Sequence, residues 1–162
     1  MILGIVLLVV VIIYFLISTL VFKEYNEVEA NYETLLKVLD TRDVILLRIL
    51  PEIKSKRTRE EMTKLVSDRM EAKKKGTNEI IRKDVELNKH LKPIYDEINI
   101  SKNPLVKEEF RRIIRLEKSL KNIRREYTAS AEKYNEKFIK HPKLFLKYLR
   151  MKPLDTYNIK TR

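Results

Sequence analysis

Residues 123–142 read IRREYTASAEKYNEKFIKHP, a highly charged stretch that still places Tyr127, Tyr134 and Phe138 at spacings of seven and four. Seven residues is close to two turns of α-helix, so the three rings fall on one face. Followed backwards, that face takes in Ile123, Leu120, Leu116, Ile113, Phe110 and Val106, with Ala131 between the tyrosines, in steps of three and four throughout. This spacing predicts one long amphipathic helix from residue 105 to about 141, ended by Pro142. Tyr127, Tyr134 and Phe138 are then the far part of its buried stripe.

Two further seams precede it. Positions 28, 32, 35, 39, 42, 46, 49 and 53 hold Val, Tyr, Leu, Leu, Arg, Leu, Ile and Ile, with Arg42 as the polar exception. Ile80, Leu87, Leu91, Ile94 and Ile98 form the other, with Asp84 as its polar member. The chain has only 2 glycines and no tryptophan, which suits long helices better than tight hairpins or a phosphate-cradling glycine loop. The expected fold is all-α, an antiparallel bundle of three principal long helices. Pro51 reads as a kink, with a helix restart at a Thr58…Glu61 capping box. Lys73-Lys74-Lys75-Gly76 reads as the main reversal, and Asn103-Pro104 as the start of the last helix. Tyr25 and Tyr32 repeat the seven-residue spacing of Tyr127 and Tyr134, a hint of internal duplication.

At the other end, residues 2–22 read ILGIVLLVVVIIYFLISTLVF and contain no charge. As a helix they rise about 31 Å, enough for a hydrocarbon core of about 30 Å. A secretory signal would need a basic start, a shorter apolar run and a small-residue cleavage site, and Ser18-Thr19-Leu20 is a poor match to one. The reading is an uncleaved transmembrane anchor over 1–22, a helical bundle over 23–142 and a basic amphipathic segment and tail over 143–162. No helix stop separates the anchor from the first seam, so both are expected in one rod. Within the last segment, residues 153–162 are read as a loose tail.

The stretch 123–142 also resembles the closing motif of the LemA family. Ile123, Arg124, Tyr127, Tyr134, Asn135 and Pro142 stand where that motif expects them, while Thr128 takes the place of an asparagine. Leu50-Pro51 followed by Glu52-Ile53 is similar to a second family segment, and Tyr95, Asn99, Phe110 and Leu120 to a third. The resemblance implies a single-pass protein of the bacterial cell membrane with a bundle of long antiparallel helices, and no established biochemical activity.

No catalytic constellation emerges from the residues themselves. His90 and His141 have no second histidine at helical spacing, adjacent glutamates such as Glu108-Glu109 diverge around a helix, and there is no cysteine. No enzyme activity, metal or cofactor is expected. The net charge of +12 gathers at residues 54–59, at 73–75 and along Arg111, Arg112, Arg115, Lys118, Lys121, Arg124 and Arg125. Such faces keep a helical domain soluble or attract anionic lipid. Nucleic acid is not expected, because no base-reading motif accompanies them. Two functional readings follow: a membrane-tethered scaffold for protein partners, and a membrane-surface binder of anionic lipid. Pro51, Ile123, Arg124, Tyr127, Tyr134, Asn135 and Pro142 are read as structural, and Lys143, Phe145, Lys147 and Arg150 as the contact to a partner or lipid. Lys23, Lys37 and Arg42 follow the anchor and no basic side chain precedes it, which favours a cytoplasmic bundle with the N-terminus outside.

Overall fold

A computed structural model of the chain describes residues 2–99, 103–140 and 152–157. All regular structure among them is helical: α1 (Ile2–Ile49), α2 (Lys56–Glu71), α3 (Thr77–Asn99) and α4 (Pro104–Lys140), with short 3-10 turns at Leu50–Glu52 and Ala72–Lys75. The expected rod is present, because α1 runs unbroken for 48 residues from the apolar segment through the first seam.

Facing side chains give the topology. Tyr25 meets Tyr134, Tyr32 meets Tyr127, Arg42 meets Glu117 and Arg48 meets Glu109, so α1 and α4 run antiparallel along their length. Asp43 and Asp40 both meet Arg69 on α2, which therefore also descends against α1. Glu61 meets His90 and Asp68 meets Lys83, returning α3 alongside α2.

The segment around Pro51 is thus a complete reversal and the bundle has four helices, not three with a kink. The physical reason lies at Ser55. Its hydroxyl accepts from the Thr58 amide at 3.3 Å and caps α2, so the helix restarts at Lys56 and Thr58 lies inside it. Gly76 supplies the second reversal with φ 100°, a conformation that favours glycine. Asn103 caps α4 through the Leu105 amide at 3.1 Å, as its position before Pro104 predicts.

The seams are inside. Val28, Leu35, Leu39, Leu46, Ile49 and Ile53 of the first, every apolar member of the second, and Val106, Ile113, Leu120, Tyr127, Ala131 and Tyr134 of the third are buried. They form two apolar clusters. The distal one is aliphatic and joins Ile45, Leu50, Met62, Val66, Leu91, Ile98 and Ile113. The proximal one, nearer the apolar end of α1, joins Val28, Leu35, Ile81, Leu120, Tyr127 and Tyr134. Ile5, Val6 and residues 8–16 lie beyond the bundle with their apolar side chains exposed. One described helix, α1, is long and apolar enough to cross a membrane.

Candidate functional site

Between the two clusters lies a layer of buried charge. Arg42 and Asp84, the polar exceptions of the first two seams, are fully buried and bonded to each other at 2.7 Å. Arg42 also donates to Asp43 at 3.1 Å, to the Asn88 side-chain oxygen at 3.0 Å and to Glu117 at 3.4 Å. Asp43 accepts from the buried Arg69, which bonds Asp40 at 2.9 Å, and Lys73 closes the row at Asp40. From α4, Arg124 donates to Asp84 at 3.1 Å and to Glu117 at 3.3 Å. Four cations thus face four carboxylates drawn from all four helices. Burial alone would raise the Asp84 carboxyl, but Arg42 and then Arg124 outweigh it and hold it below its ordinary range. Opposed charges as deep as Arg42, Asp43, Arg69 and Asp84 are costly to bring out of water and costlier to leave unpaired, so they favour one relative register of α1, α2 and α3.

Against this layer rests the C-terminal strap, residues 152–157. The sequence reading of 153–162 as a loose tail does not hold for it. The Asn135 side chain accepts from the Leu154 amide at 2.9 Å and donates to the Leu154 carbonyl at 2.7 Å. Asn78 on α3 accepts from the Asp155 amide at 2.9 Å and donates to the Pro153 carbonyl at 3.2 Å. One amide reads both groups of residue 154 while the other reads the flanking carbonyl and amide. That alternation is the signature of an extended chain held on both edges.

The opening tyrosines take part. Tyr134 donates to the Lys152 carbonyl at 3.1 Å and Tyr127 to the Asp155 carbonyl at 3.0 Å. Thr128 accepts from the Tyr157 amide at 3.3 Å. Arg82 bonds the Asp155 carboxylate at 2.8 Å. The Tyr157 ring packs edge-on to Tyr127, and the Arg124 guanidinium lies 5.4 Å from its centre. Burial, then the negative charge of Asp84, pushes the Tyr157 hydroxyl above the ordinary tyrosine range. Burial likewise pushes Tyr134 up to about 12.

The sequence-predicted residues divide accordingly. Tyr127, Tyr134 and Asn135 meet at the strap, and Arg124 links it to the charge layer. Arg124 therefore leaves the outward basic face assigned to it from sequence. Ile123 packs at the edge of the proximal cluster, and Pro51 is exposed in the first reversal. Pro142, Lys143, Phe145, Lys147 and Arg150 lie outside the described residues. Asn78, Arg82, Asp43, Arg69, Asn88 and Glu117 were not singled out from sequence. Only the helix register brings them together. His90 pairs with Glu61 at 3.3 Å on the surface. Among the described residues no three His, Asp or Glu side chains gather as metal ligands. An open cleft of about 470 Å³ near the distal end has walls of both signs, Arg48, Arg112 and Arg115 with Glu52, Glu108 and Glu109.

No family model, curated protein or solved structure matches this chain.

Proposed function

We propose that the chain is a LemA-like, single-pass scaffold protein of the bacterial cell envelope, anchored by the first part of α1 and presenting its helical bundle to protein partners, with no catalytic role. The observation that carries this reading is the continuity of α1. Its uncovered apolar start and the spine of the bundle are one helix, Ile2–Ile49, with no linker between them. A tether for a diffusing catalytic domain would benefit from a loose joint, whereas a spacer benefits from none.

The placement of charge favours protein partners over lipid. Lys54, Lys56 and Arg57 are exposed at the far tip, where the rise of α1 from residue 22 to residue 49 is roughly 40 Å. Attraction to the bilayer that holds the anchor decays within about 10 Å. The basic residues that follow the anchor support a cytoplasmic bundle.

Crosslinking in intact cells followed by capture of the tagged full chain is the test. Specific proteins should be recovered, and protease added outside intact cells or spheroplasts should spare the bundle. Recovery of anionic lipid alone, with salt-dependent flotation on anionic vesicles, would overturn the scaffold reading in favour of a lipid binder.

A further inference from the structure

We propose that the groove formed by Asn78, Arg82, Arg124, Tyr127, Thr128 and Asn135 is a receptor for an extended peptide of a partner protein, and that residues 152–157 occupy it as a built-in competitor. The peptide it fits carries leucine, then an acidic residue, then an aromatic residue two positions further on. This rests on the scaffold reading above and names the chemistry of the partner.

Leu154 and Tyr157 pack on the proximal cluster, but the way the rest of the strap is held points to recognition. A structural element of this bundle buries apolar side chains in a helical seam. The strap leaves Lys152 and Pro153 exposed and its remaining residues only half-buried. It is instead held through its backbone: the carbonyls of residues 152 to 155 accept, and the amides of Leu154, Asp155 and Tyr157 donate. Main-chain hydrogen bonds supply affinity for any extended peptide, and side-chain contacts supply selectivity. Three side chains are read. Leu154 packs on the proximal cluster, Asp155 meets the Arg82 guanidinium, and Tyr157 lies between the Tyr127 ring and Arg124. When the strap leaves, it uncovers the apolar patch of the proximal cluster under Leu154 and Tyr157, together with polar groups on Asn78, Thr128, Tyr127 and Asn135 that take water as a partner. An empty groove therefore does not strand unsatisfied donors inside a dry core.

Because the competitor is covalently attached, its effective concentration is high. A free peptide binds only the fraction of molecules whose groove is open, so its apparent affinity falls in proportion to that fraction. Weakening the strap without touching the groove should therefore tighten binding of an added peptide. That sign distinguishes a receptor from a structural clasp.

The test uses the full chain in detergent micelles and a fluorescent peptide with the sequence of residues 152–162, read by anisotropy. The Asp155→Ala/Tyr157→Ala chain should bind the peptide at least tenfold more tightly than the wild type. Adding Asn135→Ala to that chain should weaken binding at least tenfold, as should replacing the aspartate and the tyrosine of the peptide by alanine. Equal binding by all chains would overturn the proposal, and so would binding indifferent to Asn135→Ala. Loss of cooperative helical unfolding in the strap variant would also overturn it, because the strap would then be core. Crosslinked partners recovered in undiminished yield from an Asn135→Ala chain would exclude the groove while leaving the scaffold reading intact.

Discussion

The distal and proximal parts of the bundle close their interiors with different materials. Beyond Arg42, four helices surround a buried interior of isoleucine, leucine, valine and methionine, with the Tyr95 and Phe110 rings only partly buried at its edge. Before it, α2 and α3 reach only as far as the reversal at Gly76, with Ile80, Ile81 and the neighbouring Ala72 as the last side chains from that side to join the core. Two helices alone make too thin a layer to enclose a core. Tyrosines fill the gap: Tyr25 packs edge-on to Tyr134 with ring centres 5.9 Å apart, and Tyr32 faces Tyr127 at 6.4 Å. The strap then covers what the missing helices leave open. Where helices are plentiful, shape and apolar area suffice. Where they are few, side chains with an apolar body and a polar tip hold an irregular cover in place.

The largest expected effect comes from the layer that divides the two parts. Arg42→Met removes the cation shared by Asp84, Asp43 and Glu117 and leaves four carboxylates facing three cations, since Arg124 and Arg69 still reach them; the uncompensated buried charge should cost about 3–5 kcal/mol. Denaturant unfolding of the detergent-solubilised full chain measures it. A cost below about 1 kcal/mol would mean that the layer is hydrated and the two parts are not separated by a dry ionic barrier. Within the same layer Asp84 sets an acid limit, which Asp43 opposes because burial raises its carboxyl. Asp84 titrates below its ordinary range in the folded chain, so its stabilisation is complete above the unfolded-state value of about 3.9. It is lost as the pH falls through the lower folded value. Stability should stay level between about pH 7 and pH 5 as far as Asp84 is concerned and then drop, with a smaller drop in Asp84→Asn.

Next in size is Tyr134→Ala, which should cost about 3 kcal/mol by opening the proximal core. Tyr134→Phe sharpens the comparison, because it keeps the ring and removes only the bond to the Lys152 carbonyl. It should cost about 1 kcal/mol and free the strap, seen as faster amide exchange at Leu154 and Asp155. Unchanged exchange would mean that the hydroxyl is dispensable and the tyrosines act as packing alone. The smallest effect belongs to the distal surface: Leu105→Ser, at a side chain 73 % exposed, should change stability by no more than about 0.5 kcal/mol.

How far such features are legible in sequence depends on how local their causes are. The seams were readable because helical periodicity is a property of neighbours three and four apart. Arg42 and Asp84 stood out as their polar members, yet their pairing was not readable, since it depends on how one helix slides against another. Pro51 read as a kink because a proline inside a helical pattern usually bends the helix. The decisive signal was the cap at Ser55, one residue before α2. The seven-spaced tyrosine pairs, a hint of duplication in the sequence, face each other across antiparallel helices, where equal spacing lets both contacts form in one register. The strap was the least readable element. Its six described residues have no periodicity, and they are ordered by Asn78 and Asn135, which are far apart in the chain.

The continuity of α1 has a mechanical consequence. If residues 2–22 are embedded in a bilayer, as proposed above, the remaining helix becomes a lever arm of roughly 40 Å fixed to its own pivot. Bilayers of different thickness tilt a spanning helix by different amounts. A change of about 10° would sweep the far tip sideways by roughly 7 Å, more than the rise of one full helical turn. The bundle would thus convert the thickness of its membrane into the lateral position of the surface at its tip, without any change in its own fold.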